Sequence, residues 1–491
     1  MGGMTTAATL TDLLAITPTG LYVDGAFREA TQGGTLPVYD PATGAVIARV
    51  ADATESDARA ALDAACAAQA AWAATSSRER SDLLRAAYER VVERTEDFAA
   101  LMTAEMGKPL AESRGEVAYG AEFLRWFAEE AVRIRGDYSP APAGGSRLLT
   151  LRRPVGPTLM ITPWNFPLAM GTRKIGPALA AGCTCVIKPA SATPLTMLAL
   201  AQVFDEVGLP AGVLNVIPTS TTRQVVTGLL EDGRLRKLTF TGSTDVGRTL
   251  IRQSADSVLR VSMELGGNAP LLVFPDADLD RAVEQSLLAK MRNMGEACTA
   301  ANRIFVHTSV VEEFAQRLTE KMSALTVGPG AEEGTDVGPL IDATAVSTVQ
   351  ELVDDARDGG ARILCGGTPG DGPGHFYPPT VLVDVPENAR ILREETFGPV
   401  APIVAFDTED EAISRANDTE YGLMSYVFTQ DLSRALRVAE ALEYGMVGIN
   451  AGVVSNPAAP FGGVKQSGLG REGGPEGIAE YLETTYVGMA L

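Results

Sequence analysis

The chain has 491 residues, room for two or three domains, and an apolar content ordinary for a soluble globular protein. A net charge of −21 argues against a nucleic-acid groove or an anionic membrane surface as partner, and makes any positive pocket a local feature. Five cysteines without Cys-x-x-Cys spacing and only two histidines disfavour a disulfide scaffold, metal sites and Cys-His or Ser-His chemistry, and favour a reducing, cytoplasmic location.

Residues 1–20 read as a loose start without a basic n-region of secretory type. Met1-Gly2 with Thr6 fits the short myristoylation pattern, but no second anchoring signal accompanies it. No apolar run reaches the roughly 18–20 residues of a membrane span. Leu21-Tyr-Val-Asp-Gly25 and Val38 to Ala48 read as short strands with Asp-Pro and Thr-Gly turns. Thr54 with Asp57 opens an Ala-rich helix to about Ala74. Ser76 with Glu79 opens another, running to Met106 and ended by Gly107-Lys-Pro109. A third covers about Ala111 to Arg133.

Residues 136–152 read as a hairpin leaving one domain. From Pro154 the pattern alternates. The strands are Thr158–Thr162, Cys183–Lys188, Val213–Ile217 and Lys237–Phe240, and the helices are Leu168–Ala181, Pro194–Val207, Thr221–Leu230 and Thr244–Ser254. Such alternation predicts a doubly wound parallel sheet with its ligand beyond the carboxyl ends of the strands. A second α/β region follows, with a strand at Leu271–Phe274 and helices at Leu279–Met291, Val311–Leu325, Ala345–Asp358 and Leu432–Leu442. Gly366 to Gly374 lacks the ending of a P-loop and reads as a surface loop.

The chain is organised around Met263 to Arg303. This stretch holds Glu264 in a Glu-Leu-Gly-Gly turn and Cys298 in a Gly-Glu-Ala-Cys turn. A thiolate adds to an aldehyde to give a thiohemiacetal; with an oxidant nearby a thioester remains, and a carboxylate can activate the water that releases the acid. That chemistry needs neither metal nor histidine. Residue type alone says little, since a lone cysteine is ordinarily a small core hydrophobe.

The flanks say more. Met263-Glu-Leu-Gly-Gly-Asn-Ala-Pro270 and Gly295-Glu-Ala-Cys-Thr299 resemble the aldehyde dehydrogenase superfamily. The resemblance assigns the general base to Glu264 and the nucleophile to Cys298. Glu296 stands where the family more often has Gln. Ile161-Thr-Pro-Trp-Asn-Phe-Pro167 matches the family turn containing Thr162, Pro163 and Trp164, in which Asn165 holds the substrate oxygen with the Cys298 backbone N–H. Phe240-Thr-Gly-Ser-Thr-Asp-Val-Gly247 matches its dinucleotide turn at Gly242, Ser243 and Gly247, although it is no full Gly-x-Gly-x-x-Gly. Leu265 belongs to the same cofactor set. Lys188-Pro-Ala-Ser191 is where the family contacts the adenosine ribose. Ser191 stands where NAD-preferring members often carry a Glu that repels a 2′-phosphate, so the resemblance favours NADP without excluding NAD. Glu394-Glu-Thr-Phe-Gly-Pro-Val400 implies Glu395 at the nicotinamide ribose and Phe397 near the nicotinamide. With Asn450 and Pro460 to Glu472, the ordered motifs cover nearly the whole chain.

The resemblance implies an α/β fold of aldehyde dehydrogenase type. A doubly wound cofactor domain (1–135 and 153–262) joins an α/β catalytic domain (263–462) and a small oligomerisation unit (136–152 and 478–491) that builds a homodimer or homotetramer. Gly171 to Leu179, Lys290-Met-Arg-Asn293 and Val453 to Gly463 look most like succinate-semialdehyde dehydrogenases. In that subfamily two arginines and a serine hold the substrate carboxylate, here Arg173, Arg292 and Ser455. Arg suits that task because it grips a carboxylate with parallel hydrogen bonds. Some relatives carry a second cysteine two residues after the nucleophile; Ala300 stands here, so no disulfide switch is expected. The alternatives are another ω-semialdehyde such as glutarate semialdehyde, a broad range of aldehydes, a CoA-acylating reaction, and a binding protein that keeps the fold.

Overall fold

The computed structural model describes residues 9–490; the Met1-Gly2 pattern lies outside them. Two extended sheets and one small three-stranded one carry the fold, and a two-stranded ribbon pairs Thr35–Tyr39 with Val46–Ala51. The first has eight strands, ordered Gly468–Leu469, Arg260–Glu264, Lys237–Thr241, Thr158–Ile161, Cys185–Lys188, Leu214–Val216, Leu21–Val23 and Ala26–Arg28. From Arg260–Glu264 to Leu214–Val216 all neighbours are parallel, as the strand–helix alternation predicts. The four from Lys237–Thr241 to Leu214–Val216 are buried throughout, the mark of a sheet covered on both faces.

The second sheet has seven strands, ordered Arg362–Cys365, Thr380–Val383, Val400–Phe406, Ala301–His307, Ala269–Val273, Met424–Phe428 and Met446–Ile449, all parallel except the first pair. The small sheet joins the hairpin strands Tyr138–Pro140 and Ser146–Pro154 to the terminal strand Leu482–Ala490. The hairpin and the tail expected to act together are thus hydrogen-bonded over nine residue pairs.

Local signals explain several helix starts. Thr54–Asp57 and Ser76–Glu79 form reciprocal capping boxes, each satisfying backbone donors that a helix start leaves orphaned. The same device, Thr9 with Asp12, caps a helix at Leu10–Ile16, so residues 9–20 are not the loose start expected from the sequence. The single helix expected from Ser76 to Met106 is two, Ser77–Glu93 and Thr95–Met106. Arg94 leaves helical backbone between them (φ −101°, ψ 27°). No Gly or Pro marks that break; Thr95 turns its hydroxyl back to the Val92 carbonyl instead. Gly107, at φ 92°, ends the second helix as predicted. Among the described residues no helix is long and apolar enough to cross a membrane, and the five cysteines are free.

Candidate active site

The strand order makes the site. Along the parallel part of the first sheet, the chain's third, second, first, fourth and fifth parallel strands lie side by side, and the order reverses between Thr158–Ile161 and Lys237–Thr241. A crevice opens beyond the carboxyl ends of strands at such a reversal. There the structure has a cleft of about 240 Å³. Pro163, Trp164 and Asn165 enter it from the first of these strands, Thr241, Gly242 and Ser243 from the fourth, and Glu264, Leu265 and Gly266 from the fifth. Cys298, Glu395 and Phe397 close it from the side of the second sheet.

Two glycines let those walls meet. A Cβ on Gly267 would lie 2.3 Å from the Cys298 carbonyl oxygen, so only glycine allows the Glu264 turn to approach the Cys298 backbone. A Cβ on Gly266 would lie 2.8 Å from Glu395 Oε2, and the Gly267 N–H donates to Glu395 Oε1 at 3.1 Å. The Trp164 and Phe397 rings pack edge to face at 5.5 Å.

Burial pushes the Cys298 thiol up to about 12; Arg173 and Arg292 oppose that rise, and Glu395 and Glu264 add to it. Burial also raises the Glu264 carboxyl well above the ordinary range, and facing Glu472 raises it further. Among the described residues its Oε2 has no hydrogen-bond partner. Glu472 is held low despite its burial, because Arg173 and Lys174 both pair with it. The site therefore holds a half-buried thiol at the cleft wall and a nearby carboxyl poised to be neutral when the pH is low.

Asn165 Nδ2 donates to the Glu296 carbonyl at 2.9 Å, which leaves its second N–H for another acceptor. The cleft suits a dinucleotide. Ser243 caps the helix Thr244–Ser254 without spending its side chain on it, and Thr241 Oγ1 is buried without a partner among the described residues. A Cβ on Gly247 would meet Leu265 at 2.4 Å, so this glycine seats Leu265 against the helix start. Thr162, Lys188 and Ser191 lie off the cleft walls. The Thr162 N–H donates to the Lys188 carbonyl at 3.2 Å. Lys188 is lowered to about 8 by burial and donates to Thr222 Oγ1 at 3.3 Å, while Ser191 is exposed. Among the described residues no group of three or more His, Cys, Asp or Glu is placed to hold a metal.

Residues 27–487 match the profile of the Aldehyde dehydrogenase family. The chain belongs to this family. It is 60% identical over 445 residues to a succinate-semialdehyde dehydrogenase of Paenarthrobacter nicotinovorans, covering 91% of this chain and 99% of that one. A glutarate-semialdehyde dehydrogenase of Pseudomonas putida is 52% identical over 466 residues, covering 95% and 96%. The crystal structure of an NADP-dependent enzyme of E. coli superposes with a TM-score of 0.96 at 49% identity, covering 97% of this chain and 99% of that one.

In this aldehyde dehydrogenase one of the expected carboxylate ligands, Arg173, is already engaged. Arg173 is buried against Glu472, its guanidinium carbon 4.2 Å from the Phe461 ring centre. Its Nη2 has no partner among the described residues. Arg292 forms no ion pair among them; its guanidinium lies 4.9 Å from the Phe166 ring centre and 5.7 Å from that of Tyr119. Tyr119 thus lies beneath the Arg292 guanidinium and packs edge to face on Phe123 at 5.0 Å. Tyr119, Lys174 and Thr241 were not singled out in the sequence. Tyr119 sits mid-helix beside no motif, and only the packing of Leu110–Ala131 on Ala169–Ala181 brings it here.

Proposed function

We propose that this aldehyde dehydrogenase oxidises succinic semialdehyde to succinate, with NADP favoured over NAD as oxidant. One observation carries the substrate assignment: beside the nucleophile loop Arg292 lies against the Tyr119 and Phe166 rings with no ion-pair partner among the described residues, and Arg173 keeps a buried Nη2 without a partner among them. In an acidic chain, local positive charge near a half-buried thiol suits an aldehyde whose far end is a carboxylate.

Cys298 attacks the aldehyde carbon, and its proton passes to a base. Asn165, with the second N–H of its amide, and the Cys298 backbone N–H stabilise the oxyanion of the thiohemiacetal. The cleft walls would hold the nicotinamide dinucleotide, which when bound would supply the two-electron oxidant as a hydride acceptor for the adduct. Glu264 then takes a proton from water as that water attacks the thioester. Glu395 and Phe397 hold the nicotinamide end of the cofactor. Lys188 and Ser191 receive the adenosine ribose, and Gly242, Ser243 and the helix start that Gly247 shapes receive the phosphates. The E. coli relative's NADP dependence supports the same preference here. Ser191→Glu is expected to raise the KM for NADP at least about tenfold, by setting a like charge against the 2′-phosphate, and to leave that for NAD nearly unchanged. Steady-state titration with each cofactor checks this.

Tyr119→Phe removes one hydroxyl from the carboxylate end. The expected result is about a tenfold fall in kcat/KM for succinic semialdehyde, as for a lost hydrogen bond to a charged group, with butanal unaffected. The relative from P. putida keeps glutarate semialdehyde as a second reading. Reduction of NADP followed at 340 nm across semialdehydes of increasing length tests the assignment. A kcat/KM that peaks at four carbons supports succinic semialdehyde, and a peak at five carbons replaces it with the longer substrate.

The domain division given above is adopted with this reading. The paired hairpin and tail, with Tyr138 and Tyr486 exposed on them, are read as the surface of a homodimer or homotetramer in the cytoplasm.

A further inference from the structure

The loop that carries Cys298 and the loop that carries Asn165 are tied together by one side chain. We infer that Asn293 is a positioning residue, whose amide locks the oxyanion donor Asn165 to the nucleophile loop; this inference rests on the reaction proposed above.

The Asn293 Nδ2 donates to two carbonyls at once, that of Asn165 at 3.1 Å and that of Glu296 at 3.0 Å. Asn165 Nδ2 donates to the same Glu296 carbonyl at 2.9 Å. The result is a closed ring of hydrogen bonds between the two loops. An amide NH₂ group is planar, so fixing one N–H of Asn165 fixes the direction of the other, which is the one left for an oxyanion.

The ring is anchored from a third element. Lys108 Nζ donates to the Asn165 carbonyl at 2.7 Å and to Glu116 Oε2 at 2.5 Å. Glu116 Oε1 accepts the N–H groups of Leu168 and Ala169, at 2.9 and 3.1 Å, and so holds the start of the next helix. Glu112, one turn before Glu116, accepts the Asn293 N–H at 2.6 Å. Lys108, Glu116, Asn165, Asn293 and Glu296 are all buried, where such a network is stiff.

The backbone requirement narrows the residue further. Asn293 has φ 55° and ψ 43°, and Met294 and Gly295 follow at φ 54° and 78°. A residue here must tolerate left-handed backbone and present two planar N–H donors on a short stem. Asn does both; Gly and Asp accept the backbone but lack the donors, and Gln reaches too far.

That separation supplies the test. Asn293→Gly relieves the backbone and deletes the amide, and Asn293→Asp keeps the size while deleting the donors. Each variant is compared with the parent for kcat, aldehyde KM, NADP affinity by fluorescence titration, and the rate at which iodoacetamide alkylates Cys298. Alkylation needs the thiol but no oxyanion donor. In whichever variant is folded, kcat is expected to fall about 30-fold or more, the scale of a misplaced or lost oxyanion donor. KM, cofactor affinity and alkylation are expected to stay within about threefold, since they do not depend on that donor. A kcat within about threefold of the parent in Asn293→Gly overturns the inference. So does a loss of kcat matched by equal losses in alkylation and cofactor affinity, which marks general damage. Parent protein that oxidises no aldehyde refutes the underlying reaction, whereas an active parent with an equally active Asn293→Gly variant refutes only the role of Asn293.

Discussion

Cys298→Ala is expected to lower aldehyde oxidation at least about 10⁴-fold, the scale on which loss of a covalent nucleophile is felt. The change removes the one atom that forms the adduct and little else. Cys298 lies at the wall of the cleft, and the Gly267 approach involves its backbone carbonyl, which Ala retains. NADP binding is therefore expected to persist, and a fluorescence titration of the variant separates lost chemistry from lost structure. Substantial residual oxidation by a folded, cofactor-binding Cys298→Ala protein contradicts the assignment. No other cysteine lines this cleft.

Glu264→Gln is the second large effect, expected to lower steady-state kcat by about 10²–10³. If Glu264 serves the release of the acid, the first turnover still proceeds. Rapid mixing is then expected to show a burst of about one reduced cofactor per site, followed by a slow steady rate. The pH dependence gives an independent check. Burial, then the neighbouring Glu472, raises the Glu264 carboxyl well above its usual 4.5. The base form is the ionised one, so activity is lost as pH falls through this raised value and gained as pH rises through it. The ascending limb of kcat in the parent is thus expected well above pH 4.5, and Glu264→Gln is expected to lack it. A variant with no burst and an unchanged limb contradicts the role.

What could be read in the chain, and what could not, divides by the range of the physics. The capping boxes at Thr54 and Ser76, the alternation from Pro154 to Ser254 and the Gly107 stop are set by neighbours in sequence, and each is found where it was expected. The helix at Leu10–Ile16 carries the same Thr-x-x-Asp signal but is too short for a periodic apolar face to announce it. The break at Arg94 has no Gly or Pro to mark it. Pro163 to Asn165, Thr241 to Ser243 and Glu264 to Gly266 could be named because they lie at or just past strand ends that the strand order carries to one crevice, whereas Cys298, Glu395 and Phe397 reach it from loops that precede strands of the second sheet. The engagement of Arg173 by Glu472, and the arrival of Tyr119 at the same place, depend on packing between segments far apart in the chain. The two glycines after Leu265 illustrate both cases. Their presence signals a tight turn, but that one makes room for Glu395 and the other for the Cys298 carbonyl emerges only in three dimensions.

Recognition of a terminal carboxylate beside a Cys298 thioester is the centre of the account. Its most direct test is kcat/KM for succinic semialdehyde against uncharged butanal, at saturating NADP. The expected ratio exceeds about 100, equivalent to some 3 kcal/mol of transition-state binding drawn from the carboxylate. A ratio near one would contradict carboxylate recognition by Arg173, Arg292 and Ser455, and leave an aldehyde dehydrogenase whose substrate is set elsewhere in the cleft.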